Sequence, residues 1–116
     1  MEIKELEKSE IAKVVEFYGE VTLSAEGKEA GKKRFEEEIT NAIGKDHMLL
    51  ALEDEESIGF SWSQIHESKE GKKIDKVIML LISPDRYGIG IGGQLMEKER
   101  EYAKEKGVDV LDIETG

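Results

Sequence analysis

Cysteine is absent from the 116 residues, which excludes a disulfide framework and a thiolate zinc site, and no metal site is expected. Proline occurs once, at position 84, and no low-complexity stretch interrupts the chain, so nothing reads as an internal linker. No apolar run approaches the ~20 residues that a membrane-spanning helix requires. The opening Met1-Glu2-Ile3-Lys4 carries charge and is not followed by the apolar stretch of a secretory leader. Basic charge is in deficit: 17 Lys and Arg stand against 27 Asp and Glu, a net charge of −10. A chain so acidic repels phosphate backbones, so nucleic acid is not an expected partner. What is left is a soluble, cytoplasmic protein of one domain, residues 1–116. Its surplus of acid serves solubility and would also favour a cationic partner.

What is present reads as alternating strands and helices, hence an α/β or α+β domain. Residues 2–6 suit a short strand with Ile3 inward. Ser9 is a candidate N-cap for an amphipathic helix over residues 10–18, carried by Ile11, Val14, Val15 and Tyr18 and ended by Gly19. Residues 20–28 give no clear pattern. Phe35, Ile39, Ala42 and Ile43 set a second helical stripe that stops at Gly44. A meander follows: a strand at 47–53, a polar turn at Asp54-Glu55-Glu56, and a strand at 57–66 with Ile58, Phe60 and Trp62 on one face. After a loop around Gly71 comes a third strand at 74–83, apolar on both faces beyond Lys76 and therefore covered on both sides. Residues 91–106 form a helix, with Ile91, Leu95, Tyr102 and Ala103 near one face and Gly107 after it. Residues 108–114 read as a last strand.

Between the apolar strand and the last helix, glycine fills four of six positions: Gly88, Gly90, Gly92 and Gly93. Each costs conformational entropy on folding, and a plain turn needs only one or two. Glycine lets a ligand meet the backbone without a Cβ. At a helix N-terminus the free N–H groups and the helix dipole favour a phosphate. Strand, glycine loop and helix thus make a pyrophosphate cradle. Gly88-x-Gly90-x-x-Gly93 also matches a dinucleotide fingerprint, with Glu114 about 20 residues on. Against that reading, Pro84-Asp85-Arg86-Tyr87 separates the glycines from their strand. Three strands and two helices precede the motif's own strand, and nothing follows to build a doubly wound sheet. A Walker loop is excluded, because no Gly-Lys-Ser/Thr follows the glycines.

Leu80-Leu81-Ile82-Ser83-Pro84, then Tyr87-Gly88-Ile89-Gly90-Ile91-Gly92, then Leu95, resembles the acetyl-CoA loop of the GNAT superfamily of N-acetyltransferases. The family pattern is an apolar strand, a proline, Gln/Arg-x-x-Gly-x-Gly/Ala and a helix. Here Tyr87 stands where Gln or Arg is usual, and Arg86 lies one place early. The order of elements and the ending Leu111-Asp112-Ile113-Glu114-Thr115-Gly116 are similar to the family as well. The resemblance implies a mixed, mostly antiparallel sheet flanked by helices, in the order β-α-α-β-β-β-α-β. Members continue with another helix and two strands that often carry a general-acid tyrosine. The chain is thus expected to be C-terminally incomplete, and either to self-associate through its last strand or to be loosely ordered there.

The resemblance further implies acetyl-CoA as co-substrate and an amine, on a small molecule or a protein, as acceptor. Leu81 and Ile82 would meet the pantetheine, and Tyr87, Gly88, Ile89, Gly90, Ile91, Gly92 and Gly93 the pyrophosphate. A carboxylate would take the amine's proton, and Asp75 and Glu114 are the candidates; each also reads as a solvated residue at a strand end. His47 and His66 flank strands and read as surface residues. Phe60, Trp62, Tyr18, Tyr102 and Met96 read as packing residues. Two other functions stay open: a non-catalytic CoA-binding or interaction module, and a dinucleotide-binding fragment.

Overall fold

In the computed structural model, residues 1–22 and 27–113 are described. They form a five-stranded sheet in the order β1-β2-β3-β4-β5, with α1 and α2 on one face and α3 on the other. The strands are β1 (Glu2–Glu5), β2 (His47–Glu53), β3 (Glu56–Glu67), β4 (Lys73–Ile82) and β5 (Val110–Ile113). The helices are α1 (Ile11–Thr22), α2 (Lys28–Ala42) and α3 (Ile91–Glu105). Neighbouring strands are antiparallel except β4 and β5, which run parallel and are joined by α3. The mixed, mostly antiparallel sheet and the β-α-α-β-β-β-α-β order are as the sequence implies.

The first helix starts and ends elsewhere than expected. A 3₁₀ turn over Lys8–Glu10 contains Ser9, and the Glu10 carboxylate reaches back to accept the Glu7 N–H at 3.0 Å. Glu10 therefore does the capping work assigned to Ser9. Gly19 does not end α1, which continues to Thr22. A Cβ at Gly19 would lie 2.8 Å from Lys32 Cδ, so the glycine lets α2 cross closely. The Lys32 ammonium then pairs with Glu16. Residues 23–26, within the stretch that showed no pattern, lie outside the described residues.

On the α1–α2 face the core is Val14, Phe17, Phe35 and Ile39 against Met48, Leu50, Phe60 and Trp62. Phe35 stacks on Tyr18 and meets Phe60 edge-on. Burial of such side chains contributes about 1.5–3 kcal/mol each. On the α3 face, Ile91, Leu95 and Met96 cover Leu49, Ala51, Ile58 and Val77. A two-residue turn, with Asp54 and Glu55 both at positive φ, joins β2 to β3.

Two bulges break the strand periodicity. The β2–β3 register shifts by one residue at Ile58, which packs on the α3 face while Phe60 and Trp62 face α1 and α2. The expectation of all three on one face is thereby corrected: an extra residue turns the alternation over. The β3–β4 register shifts at Ile78, since Trp62 faces Met79 but Ser63 faces Val77. Strand β5 starts later than the expected 108–114: Val108 lies outside it, and Val110 and Ile113 are exposed.

Candidate active site

Strand β4 ends at Ile82. The Ser83 N–H bonds to the Ile58 carbonyl at 2.9 Å, and the 3₁₀ turn Pro84–Arg86 carries the chain across to the glycines. Arg86 turns away to pair with Glu53 at 3.2 Å, and Tyr87 stays exposed. Gly88 and Gly90 have φ of 87° and 83°, backbone that costs an L side chain strain. Gly90 is the N-cap of α3 and offers no side-chain acceptor, and the helix's first turn carries no acidic residue. The N–H groups of Ile91, Gly92 and Gly93 therefore lack the usual cap, and the helix dipole adds to their pull on an anion.

The seat of this first turn is fixed from below. Ile91 and Leu95 are fully buried. A Cβ at Gly59 of β3 would lie 2.9 Å from Ile91 Cγ2 and 3.1 Å from Leu95 Cδ1, so the helix sits closer to the sheet than a side chain would allow. Above, a Cβ at Gly88, Gly90 or Gly93 would meet nothing within 4 Å. Gly92 faces Leu80 and Ile82 of β4 at 3.8 Å. Of the loop residues, then, Ile91 gives its side chain to the core and only its N–H to the cradle.

Beside the cradle the sheet opens. Among the described residues β5 pairs with β4 only at residues 74–77, so residues 78–82 have no strand partner on that side. The bulge at Ile78 stands where the pairing stops, and Ile78 is itself exposed. A strand edge of this kind can hydrogen-bond an extended chain laid along it. Leu81 packs toward α1 and α2 and Ile82 toward α3, so each can present only backbone to that edge.

The other predicted residues part company. Asp75 is not solvated: it is fully buried beneath α3. His47, expected at the surface, is buried as well, with its ring stacked on Tyr102 at 3.5 Å between centroids. His66 is exposed as expected, and Glu114 lies outside the described residues. Missing from the sequence reading was Glu99 of α3, fully buried and accepting hydrogen bonds from His47 Nδ1 at 2.7 Å and Ser63 Oγ at 2.8 Å. The signal was available, because Ile91, Leu95, Glu99 and Ala103 fall four apart on one helical stripe. Burial, with the neighbouring Glu99 carboxyl, pushes the Asp75 carboxyl up to about 8. Burial opposes ionisation of Glu99 too, but the hydrogen bond from His47, the neighbouring Asp75 carboxyl and the hydrogen bond from Ser63 hold it below the usual range.

Residues 12–116 match the model of the acetyltransferase (GNAT) family. The chain belongs to that family. An uncharacterised N-acetyltransferase of Archaeoglobus fulgidus is 31% identical over 127 residues, covering all of this chain and 82% of that protein. Among solved structures, the ribosomal-protein-alanine N-acetyltransferase of Brucella melitensis superposes with a TM-score of 0.82 at 15% identity, over 100% of this chain and 81% of that one. A GNAT family acetyltransferase of Staphylococcus aureus gives 0.78 at 18% identity, over 99% and 86%. The dinucleotide-binding alternative is set aside by this membership, and acyl transfer is the chemistry of this GNAT chain. No helix among the described residues is long and apolar enough to cross a membrane.

Proposed function

We propose that this GNAT enzyme moves an acetyl group from acetyl-CoA to an amine. The observation that carries the reading is the uncapped, glycine-built N-terminus of α3 lying beside the free edge of β4. The residues fit the donor: a Cβ at Gly88, Gly90 or Gly93 would meet open space, and the first N–H groups of α3 have no side-chain cap. On this reading the N–H groups of residues 88–93 hold the pyrophosphate. The backbone edge of residues 78–82 holds the pantetheine amides, and Leu81 and Ile82 contribute through that backbone. Tyr87 and Ile89, both exposed, flank the entrance. The donor supplies an activated thioester when bound. A β4 N–H near the Ile78 bulge would hold the thioester oxygen as charge develops on it.

The amine must attack unprotonated. Asp75 is buried and holds its own proton at neutral pH, so it makes a poor direct base. We assign the amine's proton to Glu114, the residue following the last one paired to β4. The net charge of −10 favours a cationic acceptor.

Equilibrium binding of acetyl-CoA and NAD, followed by turnover with a panel of small-molecule and peptide amines, tests the reading. It expects acetyl-CoA to bind, turnover with at least one amine, and a Glu114→Gln variant with lowered kcat and unchanged donor affinity. Donor binding without turnover of any amine would favour a non-catalytic module. Binding of NAD in place of acetyl-CoA would overturn the reading.

A further inference from the structure

Beneath α3, four polar side chains from four elements meet: His47 of β2, Ser63 of β3, Asp75 of β4 and Glu99 of α3, with Ser61 of β3 buried on the same face. Glu99 is served by His47 and Ser63. As a carboxylate, Asp75 would be fully buried with neither oxygen receiving a hydrogen bond. Such a group is costly, and a buried carboxyl without donors escapes the cost by keeping its proton. As an acid it can donate to its neighbour Glu99, which has lone pairs to spare.

We propose that Asp75 and Glu99 hold one proton between them, and that this shared proton seats α3 on the sheet, making the pair positioning residues for the helix's first turn. Glu99 lies two turns, about 12 Å, along α3 from Ile91. Its hydrogen bonds to β2 and β3, together with that from β4, pin the helix at its middle as Ile91 and Leu95 pin its start. The groups facing Asp75 support this. From α3 come Glu99 and Tyr102, whose hydroxyl is itself raised by burial and then by the Asp75 and Glu99 charges. From β2 comes His47, with Glu5 of β1 behind it at 3.5 Å from Nε2. From β3 comes Ser63, and opposite on β5 stands Leu111, which does not titrate. Grooves of about 270 and 250 Å³ reach both His47 and Tyr102 from outside, so the buried pair has a path for proton exchange.

When the proton leaves, two carboxylates face one another under the helix, and donors remain for one of them only. The separation grows or water enters, and the helix, rigid along its length, passes the shift to its first turn. The last step rests on the donor reading above: acetyl-CoA affinity should weaken as pH rises through the ionisation of Asp75.

The test is a carbon-detected titration of the Asp75 carboxyl, with amide shifts of residues 91–95, from pH 6 to 10 without ligand. Wild type and Asp75→Asn are compared, since the substituted amide keeps a donor to Glu99 at every pH. The expected result is a carboxyl titrating near 8, with the amides following it in wild type and not in the variant. Glu99→Gln should move that ionisation down toward the ordinary carboxylate range. Acetyl-CoA affinity should fall about tenfold from pH 7 to 9 in wild type and less than twofold in Asp75→Asn, a tenfold change being about 1.4 kcal/mol. An Asp75 carboxyl titrating in the ordinary range, or amides that shift alike in both proteins, would overturn the proposal. Flat donor affinity despite titrating amides would overturn the positioning role. Absence of acetyl-CoA binding at every pH, with the titration present, would instead remove the donor reading and leave the shared proton standing.

Discussion

Gly92 separates what the cradle does for folding from what it does for binding. It lies in the first turn of α3 at an ordinary φ, and a Cβ there would sit 3.8 Å from Leu80 Cδ2 and Ile82 Cδ1, a normal contact. Gly92→Ala should therefore fold, and removing the freedom of a glycine stabilises by about 0.4–1 kcal/mol. That corresponds to a Tm rise of roughly 2–5 °C for a domain of this size. Gly92→Leu should fold as well, with its longer side chain lying across the end of β4. If the N–H groups there hold a pyrophosphate, that side chain stands between donor and anion. Losing two charge-assisted hydrogen bonds at about 1.5 kcal/mol each costs about 3 kcal/mol, or roughly a hundredfold in affinity. Gly90→Val is a poorer test, because φ there is 83° and the loop itself would strain. Calorimetric titration with acetyl-CoA beside thermal unfolding reads both effects. A Gly92→Leu protein that unfolds like wild type and binds acetyl-CoA equally well would refute the cradle.

Tyr87→Ala should change acetyl-CoA affinity less than about threefold, well under 1 kcal/mol, because the backbone does the holding; a loss as large as that of Gly92→Leu in the same titration would say otherwise. Asp75 predicts a pH dependence of stability. Its folded-state value of about 8 exceeds the ordinary 3.8, so between those limits the folded chain binds a proton that the unfolded chain lacks. Its contribution therefore falls as pH rises through that window and levels off above 8. Asp75→Asn lacks this slope and should gain on wild type steadily, exceeding its Tm by at least about 3 °C at pH 9; parallel curves in thermal unfolding from pH 5 to 9 would contradict it. Strand β5 has its outer edge unpaired among the described residues, with Val110 and Ile113 exposed. Sedimentation should show concentration-dependent association that Ile113→Lys weakens, and a wild-type monomer with strongly protected β5 amides would argue against it.

Much of the frame was legible because the residues that define it act locally. His47 to Glu53 is a continuous buried run and appears as β2 with the expected bounds. The glycine loop declared itself by its cost, and α3 by its stripe and Gly107. What was not legible depended on partners distant in sequence. Gly19 reads as a stop until Lys32 of α2 is seen to lie against it. Ile58 reads as a face-mate of Phe60 until the bulge is counted, and no local signal marks a bulge. The buried network was half legible: Glu99 sits on an apolar stripe, and Ser61 and Ser63 alternate with Phe60 and Trp62. That His47, Asp75 and Glu99 would converge needs the pairing of β2, β3 and β4, which no single segment encodes. Hence Asp75 reads as a strand-entry carboxylate, and its burial beneath α3 shows only in the fold.

The most direct test of the central claim is a map of backbone amide shifts as acetyl-CoA is added to the isotope-labelled protein. The account expects the largest changes at residues 88–93 and along the free edge of β4 at residues 78–82, with α1 and α2 nearly still. Saturable binding whose shifts lie elsewhere, or no shifts at millimolar acetyl-CoA, would contradict it.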